Sequence, residues 1–96
     1  MHAVSTSLVA LNLSGNMINF AQGTYPFNSL RFLVNLVKLD LSENLIEGLR
    51  YSGVIEMKEL KDLDLGGNKI GDIEEIYLLK GNMKLRDLNI AENPLM

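Results

Sequence analysis

Cysteine is absent from this 96-residue chain, which excludes a disulfide framework and a cysteine nucleophile. Histidine occurs once, as His2, close to the N-terminus, so imidazole acid–base chemistry has no support. No apolar run approaches the roughly 18 residues of a membrane span. Residues 1–30 contain no Lys, Arg, Asp or Glu, so the N-terminus lacks the basic start of a secretory signal. Without a signal or cysteines, the expected location is reducing and cytoplasmic. Positive charge is scarce as well. The net charge of −3 and pI near 5.0 argue against nucleic acid or an anionic membrane as partner.

Hydrophobic residues make up 47% of the chain and charged residues 22%, a balance that suits one small soluble domain. The segment Leu36-Val37-Lys38-Leu39-Asp40-Leu41-Ser42-Glu43-Asn44-Leu45-Ile46 has three counterparts, beginning at Leu8, Leu60 and Leu85. All fit L-x-x-L-x-[LI]-x-x-N-x-[IL]. The asparagines Asn16, Asn44, Asn68 and Asn93 are spaced by 28, 24 and 25 residues, the period of a stacked repeat. Gly23-Thr24-Tyr25-Pro26 accounts for the stretched first interval as a longer outer loop.

Within each copy the leucines alternate with other residues, which is the period of a strand. Leu11 and Leu13, Leu39 and Leu41, Leu63 and Leu65, and Leu88 and Ile90 are expected to point into the stack. Between copies the apolar spacing becomes three: Phe27, Leu30, Leu33 and Leu36; Val54, Met57 and Leu60; Ile70, Ile73, Ile76 and Leu79. This predicts short 3₁₀ or single-turn α returns, with Asn28-Ser29 capping the first, at about 28–34. Tyr25, Phe27, Tyr51 and Tyr77 read mainly as packing residues of these outer segments. The four asparagines are expected to form a structural ladder, satisfying backbone groups at the inward bend and linking adjacent coils.

Residues between the inward leucines face outward. They form columns of Val9, Val37, Lys61 and Arg86; Ala10, Lys38, Asp62 and Asp87; and Asn12, Asp40, Asp64 and Asn89. A last row of Gly15, Glu43, Gly67 and Glu92 lies just beyond the strands. The result is an acid-leaning stripe, a candidate surface for a locally basic protein partner. Its candidate contacts are Lys38, Asp40, Glu43, Lys61, Asp62, Asp64, Arg86, Asp87, Asn89 and Glu92.

No metal, cofactor or catalytic residue is expected. Lys38, Lys61 and Arg86 offset the field that would recruit calcium, and an open face would not desolvate Asp62 and Asp64 enough for paired-carboxylate catalysis. Gly66-Gly67 lacks the Lys and Ser/Thr of a phosphate loop. Asn12-Leu13-Ser14 matches a glycosylation sequon, which the repeat template itself explains.

The four copies resemble the leucine-rich repeat superfamily over residues 8 to 96. Asn68 to Leu95 resembles the intracellular subclass typified by the leucine-rich regulatory subunit of protein phosphatase 1 and by axonemal and radial-spoke proteins. The resemblance implies an α/β fold: a right-handed solenoid with a short parallel concave sheet and short helical or 3₁₀ returns on the convex side. It also implies protein recognition without a cofactor. Extracellular leucine-rich proteins usually close their ends with disulfide-bonded caps, consistent with the cytoplasmic expectation here. The whole chain, 1–96, is read as a single domain of four repeats starting near Leu8, Leu36, Leu60 and Leu85. In that subclass an Asn-Pro like Asn93-Pro94 often marks the last repeat before a cap. No cap is recognisable at either end, so the expectation is a piece of a longer solenoid or a stack whose ends another subunit covers. Alternative roles are a spacer in a ciliary or cytoskeletal assembly and a regulatory subunit of an enzyme such as a phosphatase.

Overall fold

The computed structural model describes residues 8–20, 29–50 and 52–95. The outer loop at 23–26, Asn28 of the expected Asn28-Ser29 cap, and Tyr25, Phe27 and Tyr51 lie outside the described residues. Each of the four copies contributes one short strand: β1 (Ala10–Asn12), β2 (Lys38–Asp40), β3 (Asp62–Asp64) and β4 (Asp87–Asn89). They pair in parallel in sequence order, with Leu11 opposite Leu39, Leu39 opposite Leu63 and Leu63 opposite Leu88.

The hydrogen-bond ladder runs beyond these three-residue strands. At their entry one carbonyl takes two amides of the next coil: Val9 from Val37 and Lys38, Val37 from Lys61 and Asp62, Lys61 from Arg86 and Asp87. Past the strands, Leu13 donates to Asp40, Leu41 to Asp64 and Leu65 to Asn89, each at 2.8 Å. One or two rows later Gly15, Glu43 and Gly67 donate to Ser42, Gly66 and Ala91. Each coil thus satisfies its backbone through its neighbours, as stacked repeats require.

The returns are short, as the spacing of three predicts. They comprise 3₁₀ turns at Ser29–Phe32, Val54–Glu56 and Leu78–Gly81, the last preceded by one α turn, α1 (Ile73–Tyr77). Asp72 caps α1 by accepting the Glu74 amide at 2.9 Å, and Glu74 and Glu75 place negative charge in its first turn, where the helix dipole favours it. Ser52, fully buried, donates to the Leu49 carbonyl at 2.8 Å and accepts the Val54 amide at 3.0 Å, so it fixes the start of the second return.

The core is centred on the two middle coils. Leu36, Leu39, Leu41, Ile46, Leu49, Val54, Met57, Leu60, Leu63, Leu65 and Ile70 are almost completely buried. Three expectations are corrected at the margins. Ile73 is 43% exposed and Tyr77 59% exposed, because the Leu78–Gly81 segment, rather than α1, makes the main packing against the Val54–Glu56 turn. Leu88, in the same inward column as Leu39 and Leu63, is 38% exposed, since only one neighbouring strand flanks it among the described residues.

Candidate functional site

The asparagine ladder supplies the scaffold on which the candidate face is built. Asn44 donates to the carbonyls of Leu13, Leu41 and Ser42 at 3.0–3.1 Å, and its Oδ1 accepts the Asn16 and Ile18 amides. Asn68 repeats the pattern on Leu41, Leu65 and Gly66, accepting from Ile46. Asn93 does so on Leu65, Ile90 and Ala91, accepting from Ile70. Each side chain therefore bonds its own bend and the preceding coil. Asn16 differs: it is exposed and donates within its own coil, to Leu13 and Ser14. The expectation of a fourth buried rung is corrected there, because no earlier coil lies against Asn16 among the described residues.

Strand alternation turns the inward leucines to one side and Lys38, Asp62 and Asp87 to the other. The observed register aligns Ala10, Lys38, Asp62 and Asp87 in one column and Asn12, Asp40, Asp64 and Asn89 in another. Parallel strands are about 4.8 Å apart, so Lys38 faces an opposite charge in Asp62, whereas Asp62 faces a like charge in Asp87. Val9, Val37, Lys61 and Arg86 stand one residue before the strands. The ion pairs found among the described residues are Arg31–Glu56, Arg50–Glu75 and Lys84–Glu59. None uses Lys38, Lys61, Asp62, Arg86 or Asp87.

The column of Asn12, Asp40, Asp64 and Asn89 has a second role that the sequence reading missed. In every coil its side-chain oxygen accepts the amide two residues on: Ser14, Ser42, Gly66 and Ala91, at 2.9–3.0 Å. Asp40 also accepts the Ser42 hydroxyl at 2.6 Å, and Asp64 accepts the Asn89 amide group at 3.0 Å. These are Asx turns that end the strands. Asp40, Asp64 and Asn89 are thus already committed to the turn by one side-chain oxygen each. The legible signal was an Asn or Asp followed two residues later by a small residue in all four copies.

The next row closes the turn in left-handed backbone, with φ of 70° at Gly15, 56° at Glu43, 69° at Gly67 and 61° at Glu92. A Cβ at Gly67 would run into the Glu43 carboxylate, which lies over it. Glycine leaves that space and adopts this φ freely. On the convex side, buried Asn82 was also missed. It stands where earlier copies have Leu33 and Met57, and it donates to the Val54 and Met57 carbonyls at 3.0 and 3.1 Å. Gly81-Asn82 reads as turn punctuation in sequence, and that masks its inward position.

Glu59 has a displaced pKa. A hydrogen bond from Lys84 at 2.8 Å, reinforced by the charge of Lys84, holds its carboxyl below the ordinary glutamate value. It lies outside the concave columns. Among the described residues, no three His, Cys, Asp or Glu side chains converge as metal ligands, and no helix is long and apolar enough to cross a membrane.

Comparison with known proteins matches residues 34–78 to the family described as leucine-rich repeats in two copies. The chain is 39% identical over 85 residues to leucine-rich repeat-containing protein 23 of Bos taurus, covering 88% of the chain and 22% of that protein. It is 36% identical over 89 residues to putative receptor-like protein 8 of Arabidopsis thaliana, covering 93% of the chain and 8% of that protein. With the Tonsoku-like protein of Mus musculus it shares 40% identity over 74 residues, 70% of the chain and 5% of that protein. The chain therefore spans less than a quarter of the length of each of these curated relatives.

Proposed function

From a chain built of leucine-rich repeats, a fold that generally serves protein–protein interaction rather than catalysis, we propose that the concave columns form a docking face for a locally basic protein segment. The unpaired charges carry this reading. Lys38, Asp62 and Asp87 stand on the sheet and Lys61 and Arg86 just before it, and all five are free of ion pairs among the described residues. With Asp40, Asp64, Glu43 and Glu92 added, carboxylates outnumber cations across the face. A basic segment gains attraction there, and Lys38, Lys61 and Arg86 set its register by repulsion or by pairing with interspersed acids. The columns are held by the asparagine ladder and Asx turns, so docking requires little reordering of the backbone.

The subclass resemblance supports an intracellular setting for this recognition, with regulatory or scaffolding roles as its two forms. The decisive variant is Asp62→Lys with Asp87→Lys. It spares Asp40 and Asp64, whose replacement would also remove strand-end turns. The expected outcome is a native circular dichroism spectrum with at least tenfold weaker capture of the cognate partner, and loss of the salt sensitivity seen for the unmodified chain. Unchanged capture by the folded double variant defeats the concave reading. It would instead favour a spacer bound through other surfaces.

A further inference from the structure

The turn side of the stack carries a second organised surface. Immediately after each ladder asparagine the chain points outward again, at Met17, Leu45, Lys69 and Pro94, and all four are exposed. Met17 is 76% exposed and Leu45 40% exposed. A single exposed Leu or Met would need no explanation. These residues, however, share one repeat position, and parallel coils bring successive members within about 4.8 Å along the stack. The aliphatic stem of Lys69 belongs to the same row and can continue its apolar surface.

Glu43 and Glu92 stand beside this row. They hold left-handed backbone at a position that Gly15 and Gly67 occupy in the alternate coils. That conformation disfavours any residue with a Cβ, yet both carboxylates are exposed and neither joins an ion pair among the described residues. Between coils 3 and 4 the rim opens into a groove bounded by Lys69, Glu92 and Pro94. The edge thus combines an apolar row, two unpaired carboxylates and one cation.

We propose that this edge is a second docking surface, sharing only Glu43 and Glu92 with the concave face, and that it takes an amphipathic helical segment whose apolar stripe is bordered by Lys or Arg. Charge complementarity selects the occupant. The apolar row supplies burial, while Glu43 and Glu92 favour cations along the stripe and disfavour an acidic segment or an anionic membrane. Four coils at that spacing extend the row for roughly 15 Å, the length of about ten helical residues. The row consists of side chains rather than free backbone groups, so it suits a helix laid across it better than an added strand.

The test uses the full chain and three synthetic peptides of about 14 residues, a length that exceeds the row by roughly one helical turn. One places Leu at i, i+3, i+4, i+7 and i+11 with flanking Lys, one scrambles that sequence, and one replaces its Lys by Glu. Binding is measured by fluorescence anisotropy and mapped by amide chemical shifts. The patterned basic peptide should bind at least about tenfold more tightly than the other two and shift Met17, Leu45 and Glu92. Leu45→Lys should weaken it by about tenfold, and Glu43→Gln with Glu92→Gln should weaken it by about threefold and flatten its salt dependence. The glutamine pair keeps the test decisive should Leu45→Lys fail to fold. Asp62→Lys with Asp87→Lys should leave peptide binding unchanged, which separates this surface from the concave face. Equal binding of the scrambled peptide, or shifts confined to the strands, overturns the proposal.

Discussion

The two middle coils and the two outer coils use the same residues at the same repeat positions with different results. Leu39 and Leu63 are 1% and 0% exposed, whereas Leu88, in the same column, is 38% exposed. Asn44 and Asn68 are both 3% exposed and their side chains bond two coils at once, whereas Asn16 is exposed and its side chain bonds only its own. Burial in this stack is therefore a property of pairs of coils. A leucine is fully buried only with a neighbour on each side, whereas a ladder asparagine needs only the preceding coil, as buried Asn93 in the last coil shows.

The largest expected effect that sharpens this contrast comes from the leucine column. Leu63→Ala should destabilise the domain by about 2–5 kcal/mol through lost burial and a residual cavity. Leu88→Ala, partly exposed already, should lose about 1 kcal/mol or less. Urea denaturation of the two variants measures the difference, and equal losses would mean that the outer coil is as well packed as the middle ones.

The asparagine rungs should separate by a smaller margin. Asn68→Ala leaves the Leu41 and Leu65 carbonyls and the Ile46 amide without their side-chain partner, a loss of roughly 1–3 kcal/mol. Asn16→Ala should fall within about 0.5 kcal/mol of the unmodified chain, as exposed substitutions usually do. Hydrogen exchange at the Ile46 amide should accelerate only in the Asn68 variant. An equally large loss for Asn16→Ala would show that its own-coil bonds matter as much as cross-coil ones.

The smallest effect belongs to the exposed Lys84–Glu59 pair, which ties the entry to coil 3 to that of coil 4. Its lowered glutamate pKa means that the stabilising contribution is present above the ordinary glutamate value and is lost as pH falls through the lower folded value. Lys84→Met should raise the Glu59 pKa toward its ordinary value in an NMR titration of the side-chain carboxyl. It should remove the pH dependence that this pair contributes at acidic pH, while barely moving the denaturation midpoint at neutral pH. A Glu59 titration that does not move would assign the depression to something other than Lys84.

Much of the architecture was legible because repetition amplifies a weak local signal. The spacing of Asn16, Asn44, Asn68 and Asn93, the alternation around Leu39 and Leu63, and the threefold spacing of Val54, Met57 and Leu60 each gave an independent indication of one stack. The returns were legible only in kind. Ile73 follows the same spacing as Ile70 and Leu79 but remains exposed, since spacing does not say which part of a return meets the next coil. Asn82 was hidden for the converse reason: a polar residue in a turn-like dipeptide is buried because two carbonyls of the preceding coil lie within its reach.

The candidate face divides in the same way. Its columns were read from strand alternation, and the register sets Lys38 beside Asp62 and Asp62 beside Asp87, with Asp40, Asp64 and Asn89 in the second column. Alternation does not distinguish a side chain that is free from one already engaged by its own backbone. Asp40 and Asp62 look equivalent in the sequence, yet Asp40 accepts the Ser42 amide and hydroxyl, while Asp62 joins no ion pair among the described residues. For that reason the concave test is made at Asp62 and Asp87.

By itself the sequence determined the period, the inward leucines, the asparagine positions and the order of charges along each coil, because these depend on spacing along one chain. Only the tertiary structure decided which asparagines reach across coils, which acids end strands, and which apolar side chains stay on the turn edge. Those outcomes depend on atoms about 25 residues apart in sequence and one strand spacing apart in space, a proximity that stacking alone creates.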